Sequence, residues 1–266
     1  MSQLFILESV CPDKITASAM AMEELDRMNK EAINKIQRKG ESIVTCNIRS
    51  LNKNFDNFVS SSLLRRAEVI CLQETWLDPL IPSVNLLEGK GWAQHNNSMG
   101  RGKGISTFYQ RTFSWDQDIN NPAYQITKLR SESLDVINIY RSAGAQTESL
   151  IHDVSSLISS GKQTLIVGDF NLCYISDYSH QLFEALRVKG FQQIVKNPTH
   201  IEGRLIDLVF TNNLDPDINY QVEQQAQFFT DHDLIEVKKG SVSLKVLYKL
   251  NFIFNQALCK IMADCS

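Results

Sequence analysis

The segment LIVGDFN ends on two polar residues, Asp169 and Asn171, with a single aromatic residue between them. Its apolar, β-prone body predicts a buried strand, so these polar groups stand at the end of that strand. Side chains two positions apart lie on one face of a strand, and we expect Asp169 and Asn171 to share a side. Taken alone, the pair is also typical of a turn, because Asx side chains bond their own backbone there.

Other strand candidates end in a similar way, with an acid, an amide or a tyrosine after an apolar body. Asn47, Glu74 and Tyr140 end three such candidates, and Asp231 and His232 come just before the strand candidate DLIEVKK. Each has an ordinary interpretation by itself, since an acid suits a helix N-terminus and a histidine between aspartates suits a surface loop. Strand ends that face one way can nevertheless gather such groups into a single pocket.

Carboxylates and amides with one histidine are a ligand set of hard oxygen donors. This set suits Mg²⁺, with Mn²⁺ as a substitute, because Mg²⁺ uses few carboxylates and keeps several waters for a phosphate to displace. Hydrolysis of a phosphodiester requires stabilised phosphoryl oxygens, an activated water and a partner for the developing charge. The residue types therefore predict metal-dependent phosphoester hydrolysis.

The elements that must position these residues alternate between strand and helix candidates from Ser42 onward, as in SIVTCN, NKNFDNFVSSSLLRRA and EVICLQE. GISTFYQR, YQITKLR and LDVINIY then follow as strand candidates with turns between or before them, which predicts an antiparallel meander. Helix candidates TESLIHDVSSLISS and HQLFEALRVKG and strand candidates LIDLVFTN and DLIEVKK complete the order. This order predicts an α/β fold of two packed sheets with helices outside.

Three regions are predicted along the chain. Residues 1–40 include a run at 16–39 that is rich in helix formers and predicts a long polar helix. Residues 41–238 hold the α/β domain. Residues 239–266 form a C-terminal tail whose apolar spacing is compatible with a helix but carries no recognisable chemistry.

The composition narrows the classes of function. With 43% hydrophobic residues, 21% charged residues and a net charge of −3, the chain can build a core but has no overall basic field. A nucleic-acid contact must therefore come from a local patch. The 6 cysteines show no C-x-x-C pairing, which argues against a zinc site, and no segment reaches the ~20 apolar residues of a membrane span. We expect an intracellular protein without a membrane partner.

Six motifs, in this order and approximate spacing, resemble those of the endonuclease/exonuclease/phosphatase superfamily: CNIRSL, CLQET, NIYR, VGDFN, IDLVFTN and TDHDLI. The stretch NPTHIEGRLIDLVFTN is most similar to the apurinic-like endonucleases of non-long-terminal-repeat retrotransposons. The resemblance covers roughly residues 42–237. It implies a four-layer αββα sandwich of two mainly antiparallel mixed sheets with outer helices, the DNase I-like fold.

The resemblance also implies a role for each matching residue. Glu74, with Asn47 nearby, would hold the catalytic Mg²⁺, and Asp231 would add a second acidic group on the metal side. Asp169 would orient or deprotonate the attacking water, and Asn171 would bind the scissile phosphate.

The remaining matching residues would serve the phosphate and the DNA. His232, oriented by Asp207, would contact phosphate oxygens, and Tyr140 would add a phosphate or transition-state contact. Basic residues beside the motifs are candidates for DNA backbone contacts, although a solvated side chain is the default for any one of them. These residues are Arg49, Arg101, Lys103, Arg141 and Arg204. His200 keeps an ordinary interpretation, with a role at the pocket rim as the alternative.

The leading hypothesis is a Mg²⁺-dependent DNA endonuclease that leaves a 3′-hydroxyl and nicks target sites for a mobile element, with the nuclear location expected from the family. Residues 1–40 resemble the end of a Helitron helicase, which implies a helicase module of the same element as a partner besides DNA. Two alternatives stay open. The same site could act on RNA, an inositol phosphate or a lipid head group, or the chain could be an inactive DNA-binding or interaction remnant.

Overall fold

The computed structural model describes residues 42–61, 64, 67–80, 91–212 and 218–240. Residues 1–41 and 241–266 lie outside this description, and with them the helix predicted at 16–39 and nearly all of the predicted tail. The strands belong to one compact unit that comprises Glu41–Pro216 and Tyr220–Lys239.

Two six-stranded sheets form the centre of this unit. In chain order the strands are β1 (Ser42–Asn47), β2 (Val69–Gln73), β3 (Ala93–Asn97), β4 (Ile105–Tyr109), β5 (Ser114–Asn121), β6 (Tyr124–Arg130), β7 (Asp135–Arg141), β8 (Thr164–Asp169), β9 (Gln192–Gln193), β10 (Asp207–Thr211), β11 (Tyr220–Gln225) and β12 (Leu234–Lys239). The first sheet has the order β11-β12-β1-β2-β4-β3 and the second β5-β6-β7-β8-β10-β9. Both sheets are mixed, because β1 with β2 and β7 with β8 run parallel while the other pairs are antiparallel.

The helices in the described part of the chain are α1 (Leu51–Val59), α2 (Glu148–Leu157) and α3 (Gln181–Val188). The buried face of α1 packs on one side of β1, against Val44 and Cys46, while Ile43 joins the core on the other side. A strand buried on both faces carries mainly apolar residues, as β1 does at Ile43, Val44 and Cys46. Its polar residues, Ser42 and Thr45, are buried and hydrogen-bonded to Glu236 and Gln73. The predicted αββα sandwich is confirmed. None of these helices is long and apolar enough to cross a membrane.

Two details of the strand prediction were wrong. GISTFYQR forms β4 in the first sheet, and the meander of the second sheet is β5-β6-β7 instead. The strands β3, β5, β9 and β11 were not predicted, because AQHNN, SWDQDINN, QQ and YQVEQQ are polar and hold few or no apolar residues. All four are edge strands, where one side of the backbone faces solvent and polar side chains limit unwanted pairing.

A layer of buried polar side chains joins the two sheets below their site-bearing ends. The amide nitrogen of Gln73 donates to Asn138 Oδ1 at 2.7 Å and to Thr45 Oγ1 at 3.0 Å, and Asn138 donates to Thr107 Oγ1 at 3.1 Å. Gln73 lies in the first sheet and Asn138 in the second. Directional bonds between buried groups favour one alignment of the sheets over a slipped one.

Lys128 is a second buried polar group, and we expect its removal to destabilise the fold. Its side chain is 3% exposed and its Nζ lies 3.0 Å from the Asp135 carboxylate, which is 1% exposed. Lys128→Met would leave that carboxylate buried without its cation, so we expect the free energy of unfolding to fall by about 3–5 kcal/mol. Urea denaturation at neutral pH measures this loss.

Arg130→Met is the matched control, because Arg130 lies on the same strand and pairs with Asp116 at 2.8 Å while remaining 52% exposed. An exposed ion pair contributes about 0–1 kcal/mol. Equal losses in the two variants would contradict the buried-pair explanation.

Candidate active site

The first sheet brings three predicted residues to one of its ends. Asn47 is the last residue of β1, and Glu74 directly follows β2, which runs parallel to β1 with Asn47 opposite Gln73. His232 lies just before β12, the antiparallel neighbour of β1 on its other side. The carboxyl ends of parallel strands meet at one edge of a sheet, which explains this grouping.

The second sheet brings three more residues to the same end of the sandwich. Tyr140 on β7 is opposite Asp169, the last residue of β8, and Asp169 is opposite Asp207, the first residue of β10. Asp169 and Asp207 are fully buried, and Tyr140 is nearly so. The site is therefore built from strand ends of both sheets.

Asn47 connects the two sheets through its side chain. Its amide nitrogen donates to Glu74 Oε1 at 3.0 Å and to Asp169 Oδ2 at 2.8 Å, and its oxygen accepts the Arg49 backbone N–H at 3.2 Å. Thr230 Oγ1 donates to the Asn47 carbonyl at 2.9 Å and fixes the loop before His232. Each polar atom of the Asn47 side chain thus holds a neighbouring part of the site.

Asp169 and Asn171 do lie together, but the expected reason, strand alternation, was wrong. The strand ends at Asp169, and Asn171 adopts a left-handed backbone conformation with φ 47°. Its backbone N–H donates to Asp169 Oδ1 at 2.9 Å, and its side-chain amide lies 3.3 Å from Asp169 Oδ2. Both interpretations of the pair therefore hold: the residues form an Asx turn, and this turn brings their side chains together in one site.

His232 is held by Asp207. The imidazole Nδ1 lies 2.9 and 3.0 Å from the two carboxylate oxygens of Asp207, so the Nδ1 proton is donated to this carboxylate. Burial disfavours the charged ring, but Asp207 and then Asp169 and Asp231 outweigh this and raise the pKa of His232 to about 9. The ring is therefore a cation at neutral pH, with Nε2–H free of Asp207.

The surroundings of Asp169 favour its neutral form, whereas those of His232 favour the charged ring. Complete burial, followed by repulsion from Asp207, raises the pKa of Asp169 to about 7, while His232 and the hydrogen bond from Asn47 act in the other direction. Two neighbouring carboxylates with separate surroundings can hold protons differently. Asp207 serves His232, and Asp169 faces Asn47 and Asn171.

Asp231 lies at the mouth of the site among cationic or imidazole groups. Its Oδ2 accepts from Arg49 Nη1 at 2.6 Å and is 3.2 Å from His200 Nε2. Its Oδ1 is buried, has no hydrogen-bond partner among the described residues and lies 3.7 Å from His232 Nε2. Burial raises the pKa of Asp231, but His232 and Arg49 outweigh it and lower the pKa overall.

His200 belongs to this site, as the rim alternative anticipated. It forms a β-bridge with His232, and the two rings pack edge to face with centroids 4.8 Å apart. Nδ1 of His200 accepts a hydrogen bond from the Glu202 backbone N–H, so the ring proton is on Nε2 and points to the Asp231 carboxylate. The only sequence signal for this contact was the proximity of His200 to the strand of Asp207.

Tyr140 and Trp76 border the Glu74 carboxylate. The Tyr140 hydroxyl lies 3.3 Å from Glu74 Oε1 and 3.0 Å from the Gly102 carbonyl, and Trp76 Nε1 donates to Glu74 Oε2 at 3.3 Å. Burial, followed by the charges of Glu74 and Asp169, raises the pKa of Tyr140, so its hydroxyl remains a donor. Glu74 and Trp76 both have positive φ angles, 50° and 55°, a strained geometry that is concentrated at functional sites.

The basic residues beside the motifs differ in exposure. The prediction that Arg141 contacts the DNA backbone is corrected, because Arg141 is buried. Its guanidinium donates to the carbonyls of Phe170, Asn171 and Ala145 and so supports the turn after β8. Arg49 and Arg101 are exposed, and Lys103 and Arg204 are partly exposed. Only these four retain a surface from which DNA could be reached, and Lys103 Nζ also donates to the Pro122 carbonyl at 2.7 Å.

The donor set fits a divalent cation. Two groups of residues bring possible ligand atoms within 4.8 Å of one another, Asp169 with Asp207 and His232, and His200 with Asp231 and His232. Because Nε2 of His232 and of His200 carries a proton here, the carboxylates of these groups, and not the imidazoles, are the ligands available to an ion. Glu74 contributes a further carboxylate, which is hydrogen-bonded to the Asn47 amide. Asp231 Oδ1 is buried and has no hydrogen-bond partner among the described residues, so this oxygen is available to an ion. Carboxylate oxygens dominate the set, which favours Mg²⁺ or Mn²⁺ over softer metals.

The sequence of residues 44–232 matches the model of the Endonuclease/Exonuclease/phosphatase family. No curated protein matches the chain in sequence. Solved structures match it at low identity and over most of their own length.

Three of these structures illustrate the match. The Neisseria 3′ phosphatase NExo, bound to a product DNA hairpin, is 16% identical with a TM-score of 0.60 over 75% of this chain and 99% of its own. An AP endonuclease from Archaeoglobus fulgidus is 14% identical, TM-score 0.61, over 74% and 98%. The endonuclease domain of the telomere-specific non-LTR retrotransposon TRAS1 is 14% identical, TM-score 0.56, over 77% and 100%. At these identities the likeness establishes the shared fold.

Proposed function

Because the chain belongs to the endonuclease/exonuclease/phosphatase family, we propose that it is a Mg²⁺-dependent DNA endonuclease that hydrolyses a phosphodiester and leaves a 3′-hydroxyl. One observation carries the proposal. Strand ends of two sheets bring Asn47 into contact with Glu74 and Asp169 at one end of the sandwich, with the Asp207–His232 pair beside Asp169. Carboxylates beside a cationic imidazole are what phosphodiester hydrolysis requires.

Glu74, with Asn47 beside it, would hold the metal ion, and Asp231 would add an acidic group on the metal side. When bound, such an ion supplies Lewis-acid stabilisation of phosphoryl oxygens and neutralises developing negative charge. The Asn47 amide donates to Glu74 and so fixes the orientation of that carboxylate. Trp76 Nε1 holds the other carboxylate oxygen of Glu74.

The chain's own residues would handle the water and the phosphate. Asp169 would accept a proton from the attacking water, held in place by bonds from Asn47 and the Asn171 backbone. His232, kept cationic by Asp207, would donate from Nε2 to a phosphate oxygen. Tyr140 would add a hydroxyl donor. The Asn171 amide donates to the Arg141 carbonyl at 2.8 Å and lies 3.3 Å from Asp169 Oδ2, and it would turn the longer of these bonds to the phosphate.

The biological setting is a further part of the proposal. DNA is the proposed substrate, which agrees with the product DNA bound to the Neisseria phosphatase and with the retrotransposon source of TRAS1. We expect target-site nicking for a mobile element, inside the nucleus. A Helitron-type helicase module, to which the resemblance of residues 1–40 pointed, is the proposed partner.

Plasmid nicking tests the proposed chemistry and its metal dependence together. We expect the purified chain to convert supercoiled plasmid into nicked circles in Mg²⁺, and EDTA to abolish this, since the carboxylates alone offer no Lewis acid. Mn²⁺ added after EDTA should restore nicking, whereas Zn²⁺ is a poorer match for oxygen ligands. Agarose gel electrophoresis separates the plasmid forms.

The alternatives give different results in the same assay. Undiminished nicking in excess EDTA would refute the metal dependence. Absence of nicking by folded protein, combined with metal-dependent cleavage of RNA, release of phosphate from inositol phosphates or hydrolysis of lipid head groups, would assign the site to another phosphoester. DNA binding without any hydrolysis would identify an inactive remnant.

A further inference from the structure

A cavity of about 330 Å³ opens beside Asp231, at the border of the group of residues assigned to hydrolysis. Its lining comes from the start of α1, the loop after β2 and the loop before β12, and consists of Arg49, Lys53, Asn54, Trp76, Phe228, Phe229, Thr230 and Asp231. Thr230 and Asp231 belong to both the cavity and the site. A molecule in the cavity would therefore lie next to the reacting phosphate.

Phe228 is the least expected residue in this lining, because 83% of its surface is exposed. Its neighbour Phe229 packs partly into the core between α1 and the first sheet, and anchors the loop. The Phe228 ring, perpendicular to Phe229 at a centroid distance of 5.5 Å, is left facing solvent. An exposed aromatic ring at the border of a site is available to stack on a ligand.

The charges of the cavity suit an anionic ligand. Arg49 is 50% exposed at its side chain and pairs at 2.6 Å with the Asp231 carboxylate of the same lining, and Lys53 is exposed on the first turn of α1. The guanidinium of Arg101 lies 5.8 Å from the centre of the Trp76 ring and adds a third cation at the border. In a chain with a net charge of −3, this concentration of cations beside aromatic rings is local. Aromatic rings with cations between them are typical of surfaces that bind unstacked nucleotides.

We propose that this cavity binds an unstacked nucleobase next to the phosphate being cut, with the Phe228 ring stacking on the base. Arg49 and Lys53 contact the phosphates on either side of that nucleotide. This inference rests on the proposed nuclease function and specifies its substrate, which is DNA that is single-stranded, distorted or easily unstacked at the cleavage position. Unstacking has the lowest cost in such DNA, so the cavity would select where the chain cuts.

Binding to a short fluorescein-labelled oligothymidylate tests the stacking role. Fluorescence anisotropy is measured with the full chain in EDTA, so that no cleavage occurs. We expect Phe228→Ala to raise the Kd about tenfold, the loss of one base-stacking contact. On an oligomer of the same length made of abasic sugar phosphates, the same variant should bind as the wild type does, because there is no base to stack.

Trp115→Ala is the matched control, since Trp115 is 46% exposed and pairs with Leu129 at the end of the second sheet remote from Tyr140. We expect its Kd for oligothymidylate to equal that of the wild type. Arg49→Gln and Lys53→Gln should weaken binding to both oligomers equally and reduce the salt dependence. Phe228 is exposed, so its removal should leave the thermal midpoint unchanged.

Two results would overturn the inference: an unchanged Kd for Phe228→Ala, or an equal loss of affinity on the abasic oligomer. Its failure is distinguishable from failure of the proposed function. If plasmid is nicked normally while Phe228→Ala binds like the wild type, the nuclease proposal stands and the nucleobase cavity does not. If no DNA is cut but the base-dependent loss occurs, the cavity stands and the hydrolysis proposal does not.

Discussion

Asp169→Asn is expected to lower the rate of plasmid nicking by about 10³-fold or more, the usual cost of removing a residue that handles the attacking water. The substitution keeps the shape of the side chain. The asparagine oxygen can still accept a hydrogen bond from the Asn47 amide, which lies 2.8 Å from Asp169 Oδ2 in the wild-type chain. It cannot accept a proton from the attacking water. Single-turnover nicking in Mg²⁺ measures the effect.

Stability separates a catalytic role of Asp169 from a structural one. Its carboxylate is completely buried and close to Asp207, so removal of its charge relieves repulsion. The new amide nitrogen replaces one of the two accepting oxygens, so the hydrogen bond from the Asn171 backbone N–H is lost. Because these two effects oppose each other, we expect the urea midpoint in EDTA to change little. Asp153→Asn, which alters a carboxylate bonded to Tyr124 outside the site, should leave nicking unchanged. A large loss of stability together with activity would contradict the assignment.

Gly168→Ala is expected to have the largest effect on stability, with a fall in the free energy of unfolding of about 4 kcal/mol or more. Gly168 has a φ of 136°, and a Cβ at this position would lie 1.9 Å from the backbone carbonyl oxygen of Ile139 on the paired strand. Backbone cannot move aside as a flexible side chain can. The strands β7 and β8 would have to separate next to Asp169.

Gly190→Ala controls for the backbone conformation alone. Gly190 also has a positive φ, 82°, but a Cβ there would meet no atom within 4 Å. Only the left-handed conformation is penalised, at about 1–2 kcal/mol. Urea denaturation of both variants tests the difference, and equal losses would show that crowding against Ile139 is unimportant. Folded Gly168→Ala protein should also nick plasmid more slowly, because Asp169 shifts with its strand.

The local sequence determined most of the elements and nearly all of the candidate site. Apolar runs that end in polar residues identified β1, β2, β7, β8 and β10, because a buried strand must interrupt its apolar pattern where it reaches a polar pocket. The motif order then predicted the αββα sandwich. The polar edge strands β3, β5, β9 and β11 escaped prediction, since their pairing partners, and not their own residues, hold them in the sheets.

Contacts between distant segments were decided only by the tertiary structure. Asn47 reaches Asp169 across 122 residues of sequence, and Arg49 reaches Asp231 across 182. No local pattern encodes such a pairing, because it depends on how the two sheets align. The same alignment buries Arg141 against backbone carbonyls and leaves Phe228 in solvent, although residue type alone favours the reverse. Residue types therefore determined the chemistry available to this chain, whereas packing decided which residues can use it.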